Sequence, residues 1–359
     1  MNATLLPEIQ ADTEAQPEAD HGIELKPIPS PSKVRRDIPL SPAGQETVAK
    51  ARREISAILS GEDAERLLVV CGPCSIDDVN AAHVYAERLR RLADTVSDKL
   101  LVVMRTYFEK PRSVVGWKGL LYDPLSGDES SPMAGINIAR RFATRVNELG
   151  LPCATEFLNP LLALYLEDCM SYGSIGSRTV ESQIHRELAS RLPLPMGMKN
   201  GMDGTLSSAA NGMLSARQAH SFFGQSLEGE VCLVETRGNR YTHLILRGGS
   251  SGTNFDEQSV AAAVEAGRQQ GLARPVVVDC SHGNSQKDHR KQRLVIEEIS
   301  RQLRQGQSGI AGVMLESYLT EGRQDVGRGE TRRFGQSITD ACIGWKDTEY
   351  LIQTLAETL

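Results

Sequence analysis

The chain is poor in aromatic side chains: 5% of its 359 residues are Phe, Trp or Tyr, and two are tryptophan. No unbroken apolar run approaches the roughly 20 residues of a membrane-spanning helix. The N-terminus, MNATLLPEIQADTEAQ, lacks the basic segment and apolar run of a secretory leader. There is no basic excess: the formal net charge of −6 offers little to nucleic acid or an anionic membrane surface. Cysteine is present in a pattern unlike a disulfide framework, with seven residues irregularly spaced at 71, 74, 153, 169, 232, 280 and 342. These absences predict a cytoplasmic protein in a reducing compartment, without a membrane or nucleic-acid partner.

What is present suits a globular enzyme, with 40% hydrophobic and 24% charged residues. Seven of the 16 prolines fall within residues 1–42, so residues 1–40 read as an extended or flexible arm. Ser41 and Pro42 read as a helix N-cap and first residue, and Gly61 as the stop. Beyond them, apolar runs at 66–72, 99–105, 151–157, 172–177, 194–200, 242–248, 275–281 and 309–317 alternate with amphipathic helical patterns. Several runs lack polar alternation, as strands buried on both faces do. Eight such units predict a single α/β domain over 41–359, a (β/α)8 TIM barrel with an N-terminal extension. SFFGQSLEGEVCLVETR adds an extra strand pair before strand six, inside an insertion spanning 219–241.

The C-terminal end of every run carries a polar residue: Cys74, Arg105, Glu156, Ser177-Arg178, Lys199, Arg247, His282 and Glu316. In a barrel these ends converge on one mouth, where barrel enzymes hold their sites. Arg105, Lys110, Arg112, Arg178, Lys199 and Arg247 form a cationic set with Glu156 among them. Singly, each is an ordinary surface base; in register they ask for a multiply charged anion. Cys74, His282, Glu316 and Asp340 form a second set of mixed hardness. It suits one divalent ion such as Mn²⁺, Fe²⁺, Co²⁺ or Zn²⁺. CGPC has the redox-motif spacing, but Cys71 lies inside a strand run and no thioredoxin-like context surrounds it. His185, a helical turn beyond the fourth strand, reads as structural.

GPCSI (72–76), MRTYFEKPR and VGWKGL (104–120), ATEFL (154–158), SRTVESQIHREL (177–188), MKNGMDG (198–204), LRGG (246–249), DCSHGNS (279–285) and SITDACIGW (337–345) resemble the type I 3-deoxy-D-arabino-heptulosonate 7-phosphate (DAHP) synthases. The resemblance runs in order over residues 30–355 and is to the aromatic-amino-acid-regulated class. It implies a transferase that condenses phosphoenolpyruvate with erythrose 4-phosphate at the entry to the shikimate pathway. It also implies a homodimer or homotetramer and an aromatic amino-acid effector.

Carried over residue by residue, the resemblance makes Cys74, His282, Glu316 and Asp340 the metal ligands. Phosphoenolpyruvate falls to Arg105, Lys110, Glu156, Gly176, Ser177, Arg178, Lys199 and Arg247. Erythrose 4-phosphate falls to Lys110, Pro111, Arg112 and Ser113, with Asp340 near its hydroxyls. Lys110, Lys199, Glu156, Cys74 and His282 are the catalytic candidates. Ser113 stands where threonine is common, and Ser177 where alanine is. Ala163-Leu164 and Pro193 depart from the family in the segments where the effector binds.

Three other readings compete: a sister synthase using arabinose 5-phosphate, a Schiff-base aldolase with Lys199 as nucleophile, and a catalytically inactive phosphometabolite or amino-acid sensor. One further expectation concerns Cys342. In an extended segment it shares a face with Asp340, so a metal-bound Asp340 would bring it near Cys74 and allow an inactivating disulfide. The alternative is a small buried hydrophobe turned away from the mouth.

Overall fold

The apolar runs become eight parallel strands that close on themselves. The computed structural model describes residues 23–112, 116–124, 132–325 and 332–359. The barrel strands are β1 (Leu67–Gly72), β2 (Leu100–Arg105), β3 (Cys153–Glu156), β4 (Tyr172–Ile175), β5 (Met196–Lys199), β8 (Thr242–Leu246), β9 (Val276–Asp279) and β10 (Ile310–Glu316). β5 pairs with β8, and β10 pairs back onto β1, completing the ring. Between β5 and β8 in sequence, β6 (His220–Gln225) and β7 (Val231–Thr236) form the antiparallel pair expected there. The helices are α1 (Pro31–Asp37), α2 (Pro42–Ser60), α3 (Val79–Thr95), α4 (Pro132–Glu148), α5 (Pro160–Leu166), α6 (Gln183–Arg191), α7 (Ser207–Ala216), α8 (Glu257–Arg268), α9 (Gln292–Arg304) and α10 (Trp345–Ala356). None of the helices among the described residues is long and apolar enough to cross a membrane.

Strand parity decides what lines the barrel. Leu68 and Val70 of β1 share the inner cluster with Leu101, Val103, Ala154, Tyr172, Ile245, Val277 and Met314. Their neighbours Leu67, Val69, Leu100, Val102, Val276 and Val278 belong to the outer cluster, between strands and helices. Side chains repeat a face every two residues. The next inner positions toward the C-terminal mouth are therefore Arg105, Glu156, Arg247, Asp279 and Glu316. Lys199 follows Gly197 in the same way, and Gly197 packs against Ile245 and the Tyr172 hydroxyl. The same alternation that fills the barrel with aliphatics thus ends it in charge.

The opposite end is closed by α2. Ser41 caps that helix, accepting a hydrogen bond from the Gly44 amide, and Pro42 follows at the first helical position. Gly61 ends it at φ 81°, a left-handed conformation that glycine adopts without a Cβ penalty. Ile55, Ile58 and Leu59 of α2 are fully buried in the inner cluster, each burial worth about 1.5–3 kcal/mol.

The arm departs from expectation. Residues 23–30 have no regular structure, but Pro31–Asp37 fold as α1 rather than staying extended. Ser30 caps the helix and Pro31 starts it, so these prolines do not prevent helix formation here. Tertiary contacts supply what local propensity lacks: Val34 is buried, and Arg35 donates to the Leu164 carbonyl and to Glu167.

Candidate active site

A cavity of about 460 Å³ opens at the C-terminal mouth of the barrel. Arg105, Lys110, Arg112, Arg178, Lys199 and Arg247 all line it, with Glu156, Glu316 and Asp340 as the carboxylates. The cationic set proposed from strand ends is brought together. Pro111 and Ser177 also line the cavity; Ser113 lies outside the described residues.

Two buried ion pairs form the floor. Lys199 Nζ lies 2.9 Å from Glu156 Oε2 and 3.8 Å from Asp279 Oδ2. Burial opposes charge on both Lys199 and Glu156. Their mutual attraction prevails, so the lysine pKa stands above its ordinary value and the glutamate pKa below. The lysine is held as an ammonium, which opposes the neutral amine an imine needs. Arg105 donates to Glu316 Oε1 at 2.9 Å and to the Pro73 carbonyl at 3.1 Å, with its guanidinium carbon 3.5 Å from the Tyr107 ring centroid. Buried pairs recover their desolvation cost poorly, so their presence in a barrel core points to chemistry more than to stability.

Beside the floor is an anion cradle. A Cβ on Gly176 would sit 2.3 Å from Glu156 Oε1, so glycine is needed where the chain passes that carboxylate. Next to it the Ser177 Oγ is buried without a hydrogen-bond partner among the described residues. Arg247 follows on the other side; burial lowers its pKa, and Asp279 counters that while Arg178 adds to it. Arg112 at the outer rim is braced by its Nε, which donates to the Trp117 carbonyl at 2.8 Å.

The second set gathers on the β1–β10 side. Ligand atoms of Cys74, Glu316 and Asp340 lie within 4.8 Å of one another. His282 stands outside that set, with Nε2 3.8 Å from Glu316 Oε1. Its Nδ1 is 2.7 Å from Ser281 Oγ and 3.0 Å from Asp279 Oδ2, which leaves Nε2 as the nitrogen facing the cluster. Lys110 Nζ is 3.0 Å from Cys74 Sγ, a cation at the rim of three acidic donors. Burial and then Glu316 push the Cys74 thiol up to about 11, against the pull of Lys110. A thiol, two carboxylates and an oriented imidazole fit a divalent transition ion, which would displace the thiol proton.

Cys71 does not join Cys74: its Sγ lies 3.2 Å from the Tyr85 hydroxyl, on the outer face of β1. His185 is absent from the cavity lining, and its ring nitrogens lie 2.9 Å from Ser182 Oγ and 2.7 Å from the Leu158 carbonyl. Sequence reasoning missed Tyr107, Asp279, Lys287, His289 and Arg323. Four of these line the cavity, and Asp279 lies beneath it against Lys199 and His282. Asp279 was legible from parity, two residues after inward-facing Val277.

Comparison with known proteins agrees with this geometry. The family model described as "DAHP synthetase I family" matches residues 41–353. A Trp-sensitive phospho-2-dehydro-3-deoxyheptonate aldolase of Escherichia coli K12 is 45% identical over 335 residues, 93% of this chain and 96% of that protein. The phenylalanine-inhibited enzyme of Saccharomyces cerevisiae is 44% identical over 338 residues, 92% of this chain and 91% of its own length. The solved structure of phospho-2-dehydro-3-deoxyheptonate aldolase from Francisella tularensis SCHU S4 superposes with a TM-score of 0.90 at 40% identity, covering 93% of this chain and 97% of that one. A match over most of the chain, on the barrel whose strand ends build this mouth, shows that the chain is an enzyme belonging to the DAHP synthetase I family.

Proposed function

We propose that this enzyme condenses phosphoenolpyruvate with D-erythrose 4-phosphate and water, giving DAHP and inorganic phosphate, with a divalent metal ion held by Cys74, His282, Glu316 and Asp340. The observation that carries this reading is the convergence of eight lysine and arginine side chains on one cavity in a chain of net charge −6. Two phosphorylated substrates, one also a carboxylate, need that many counter-charges.

In this reading Arg105, Arg178, Lys199 and Arg247 hold the carboxylate and phosphate of phosphoenolpyruvate, with the Ser177 hydroxyl and the Gly176 backbone completing the cradle. Lys110, Pro111, Arg112 and Ser113 hold the aldose phosphate so that its aldehyde faces C3 of the enolpyruvate. A bound divalent ion supplies Lewis-acid polarisation of the aldehyde oxygen. C3 attacks the aldehyde carbon, and C2 becomes electron-poor. Glu156 orients the water that adds at C2, and Lys199, already an ammonium, steadies the departing phosphate as the C2–O bond breaks. The raised lysine pKa argues against the Schiff-base alternative.

The names of the relatives support an aromatic amino acid as effector. The outer face of the β6–β7 pair exposes Phe223, Val231 and Leu233, which supports self-association as a dimer or tetramer. Seven free thiols fit the cytoplasm.

Phosphate release from phosphoenolpyruvate, measured with erythrose 4-phosphate or arabinose 5-phosphate as co-substrate and with or without chelator, tests the proposal. Rapid release with the four-carbon sugar, abolished by chelation and restored by Mn²⁺ or Co²⁺, is expected. Preference for the five-carbon sugar would favour the sister synthase, and no release with either would favour a sensor.

A further inference from the structure

In the loop between β9 and α9, His282, Gln286 and Lys287 stand at φ 54°, 54° and 63°. No other non-glycine residue among the described residues has a positive φ. Side chains adopt that left-handed conformation at a cost, and such strain gathers where a site requires it. His282 already faces the donor cluster. Lys287 has no role yet: it lines the catalytic cavity, but neither the metal donors nor the two substrate sets include it.

The strained turn is what carries Lys287 to the rim. Its amide donates to the His282 carbonyl at 2.9 Å, and the Gln286 side chain accepts from Lys291 Nζ, which holds the turn closed. The nearby carboxylates are engaged elsewhere. Asp288 accepts from Arg290 Nε and Nη2, each at 2.9 Å, and Glu321 lies 2.8 Å from His289 Nε2. The Lys287 ammonium is left without a protein partner among the described residues. Arg105 and Lys199 differ, each paired with a buried glutamate at 2.9 Å.

The turn packs on the segment that carries Arg247. The Asn284 amide donates to the Arg247 carbonyl at 3.1 Å, and a Cβ on Gly283 would lie 2.5 Å from the Gly249 nitrogen. In the ring β9 is next to β8, which leads into Arg247. β2, which leads into the Lys110–Arg112 corner, is three strands away. We propose that Lys287 is a further substrate-binding residue: with Arg247 it holds the phosphoryl group of phosphoenolpyruvate, and afterwards the inorganic phosphate, an assignment that rests on the reading of the mouth given above. A lysine suits that task, because its ammonium is a point charge that can follow the phosphate oxygens without a fixed fork.

Calorimetric titration of the full chain in Mn²⁺ with phosphoenolpyruvate, and separately with inorganic phosphate, tests the proposal on wild type, Lys287→Asn and Lys287→Arg. Asparagine tolerates the left-handed backbone and removes the charge; arginine keeps the charge. Both ligands should weaken at least tenfold in Lys287→Asn and by about threefold at most in Lys287→Arg. The KM for erythrose 4-phosphate should stay within about twofold. The thermal midpoint of Lys287→Asn should be no lower than that of wild type, which a merely structural lysine would not allow. Wild-type affinities in Lys287→Asn would overturn the proposal. So would equal losses in both variants, or a raised KM for erythrose 4-phosphate with phosphoenolpyruvate binding unchanged. A wild type that binds no phosphoenolpyruvate would remove the reading of the mouth and this role together; one that binds it no better than Lys287→Asn would remove the role of Lys287 alone.

Discussion

Lys199 and Glu156 meet at 2.9 Å inside the barrel, the lysine 3% exposed and the glutamate 7%. Each charge is tolerable only because of the other. Glu156→Gln or Lys199→Met alone should lower unfolding stability by about 3–5 kcal/mol, the cost of an uncompensated buried charge. The double variant should recover most of that stability and none of the turnover. Denaturant unfolding beside kcat for all four proteins separates the two effects. A double variant no more stable than the singles would show that the pair is not the source of the cost.

Lys199 should never form an imine. Borohydride added during turnover should leave the protein mass unchanged, since an ammonium flanked by Glu156 and Asp279 is a poor nucleophile. A reduced adduct on Lys199 would return the aldolase reading.

The donor cluster around Cys74 predicts a metal site visible by spectroscopy. Co²⁺ added to chelator-treated protein should give a thiolate-to-cobalt charge-transfer band, absent in Cys74→Ser and weakened in Asp340→Asn. Turnover should fall at least a hundredfold in both. A Co²⁺ spectrum unchanged by Cys74→Ser would remove the thiol from the site.

His243 predicts an acid-side stability slope. It sits in the barrel interior, with Nε2 2.8 Å from the Tyr172 hydroxyl, and burial lowers its pKa from the ordinary 6.5 to about 4. The folded state therefore resists a proton that the unfolded chain accepts. Stability is complete above pH 6.5 and falls as pH drops toward 4, by ~3 kcal/mol for this group. The difference in unfolding free energy between wild type and His243→Gln should shrink by that amount over this window. Parallel curves would show that His243 does not titrate as the fold dictates.

Cys342 is placed where the extended segment predicts: its Sγ accepts from the Cys74 amide at 3.4 Å. Copper-catalysed oxidation in air should take two hydrogens from the pair, form the Cys74–Cys342 disulfide and remove a metal ligand. Burial pushes both thiols upward, with Cys74 at about 11, so the reaction without a metal catalyst should be slow. Inactivation should be reversed by dithiothreitol and largely absent in Cys342→Ser. Equal inactivation of that variant would exclude Cys342 as the partner.

The barrel and its mouth were legible because two periodicities carry them. Runs such as LLVVCG and LLVVMR have too little polar alternation for half-exposed strands, and each ends in a residue that parity turns inward. Arg105, Lys199 and Glu316 are legible simply as the polar residues that end their apolar runs. Asp279 is hidden within the run 275–281, which reads as a strand ending at His282, whereas the strand itself stops at Asp279. Tyr107 lies beyond the end of β2, and only the barrel's closure brings its ring under Arg105. Lys287 and Arg323 reach the cavity from loops with no period to read. Helix α1 was missed because its stability comes from contacts with α5 and the Glu167 turn, more than a hundred residues away.

The central claim is a condensation with C–O cleavage at this mouth. Phosphoenolpyruvate carrying ¹⁸O in its bridging oxygen, turned over with erythrose 4-phosphate and Mn²⁺, tests it most directly. The account predicts one seven-carbon keto-acid phosphate per phosphate released, with all the label in the phosphate. Label retained in the sugar product, or phosphate released without a seven-carbon product, would contradict it.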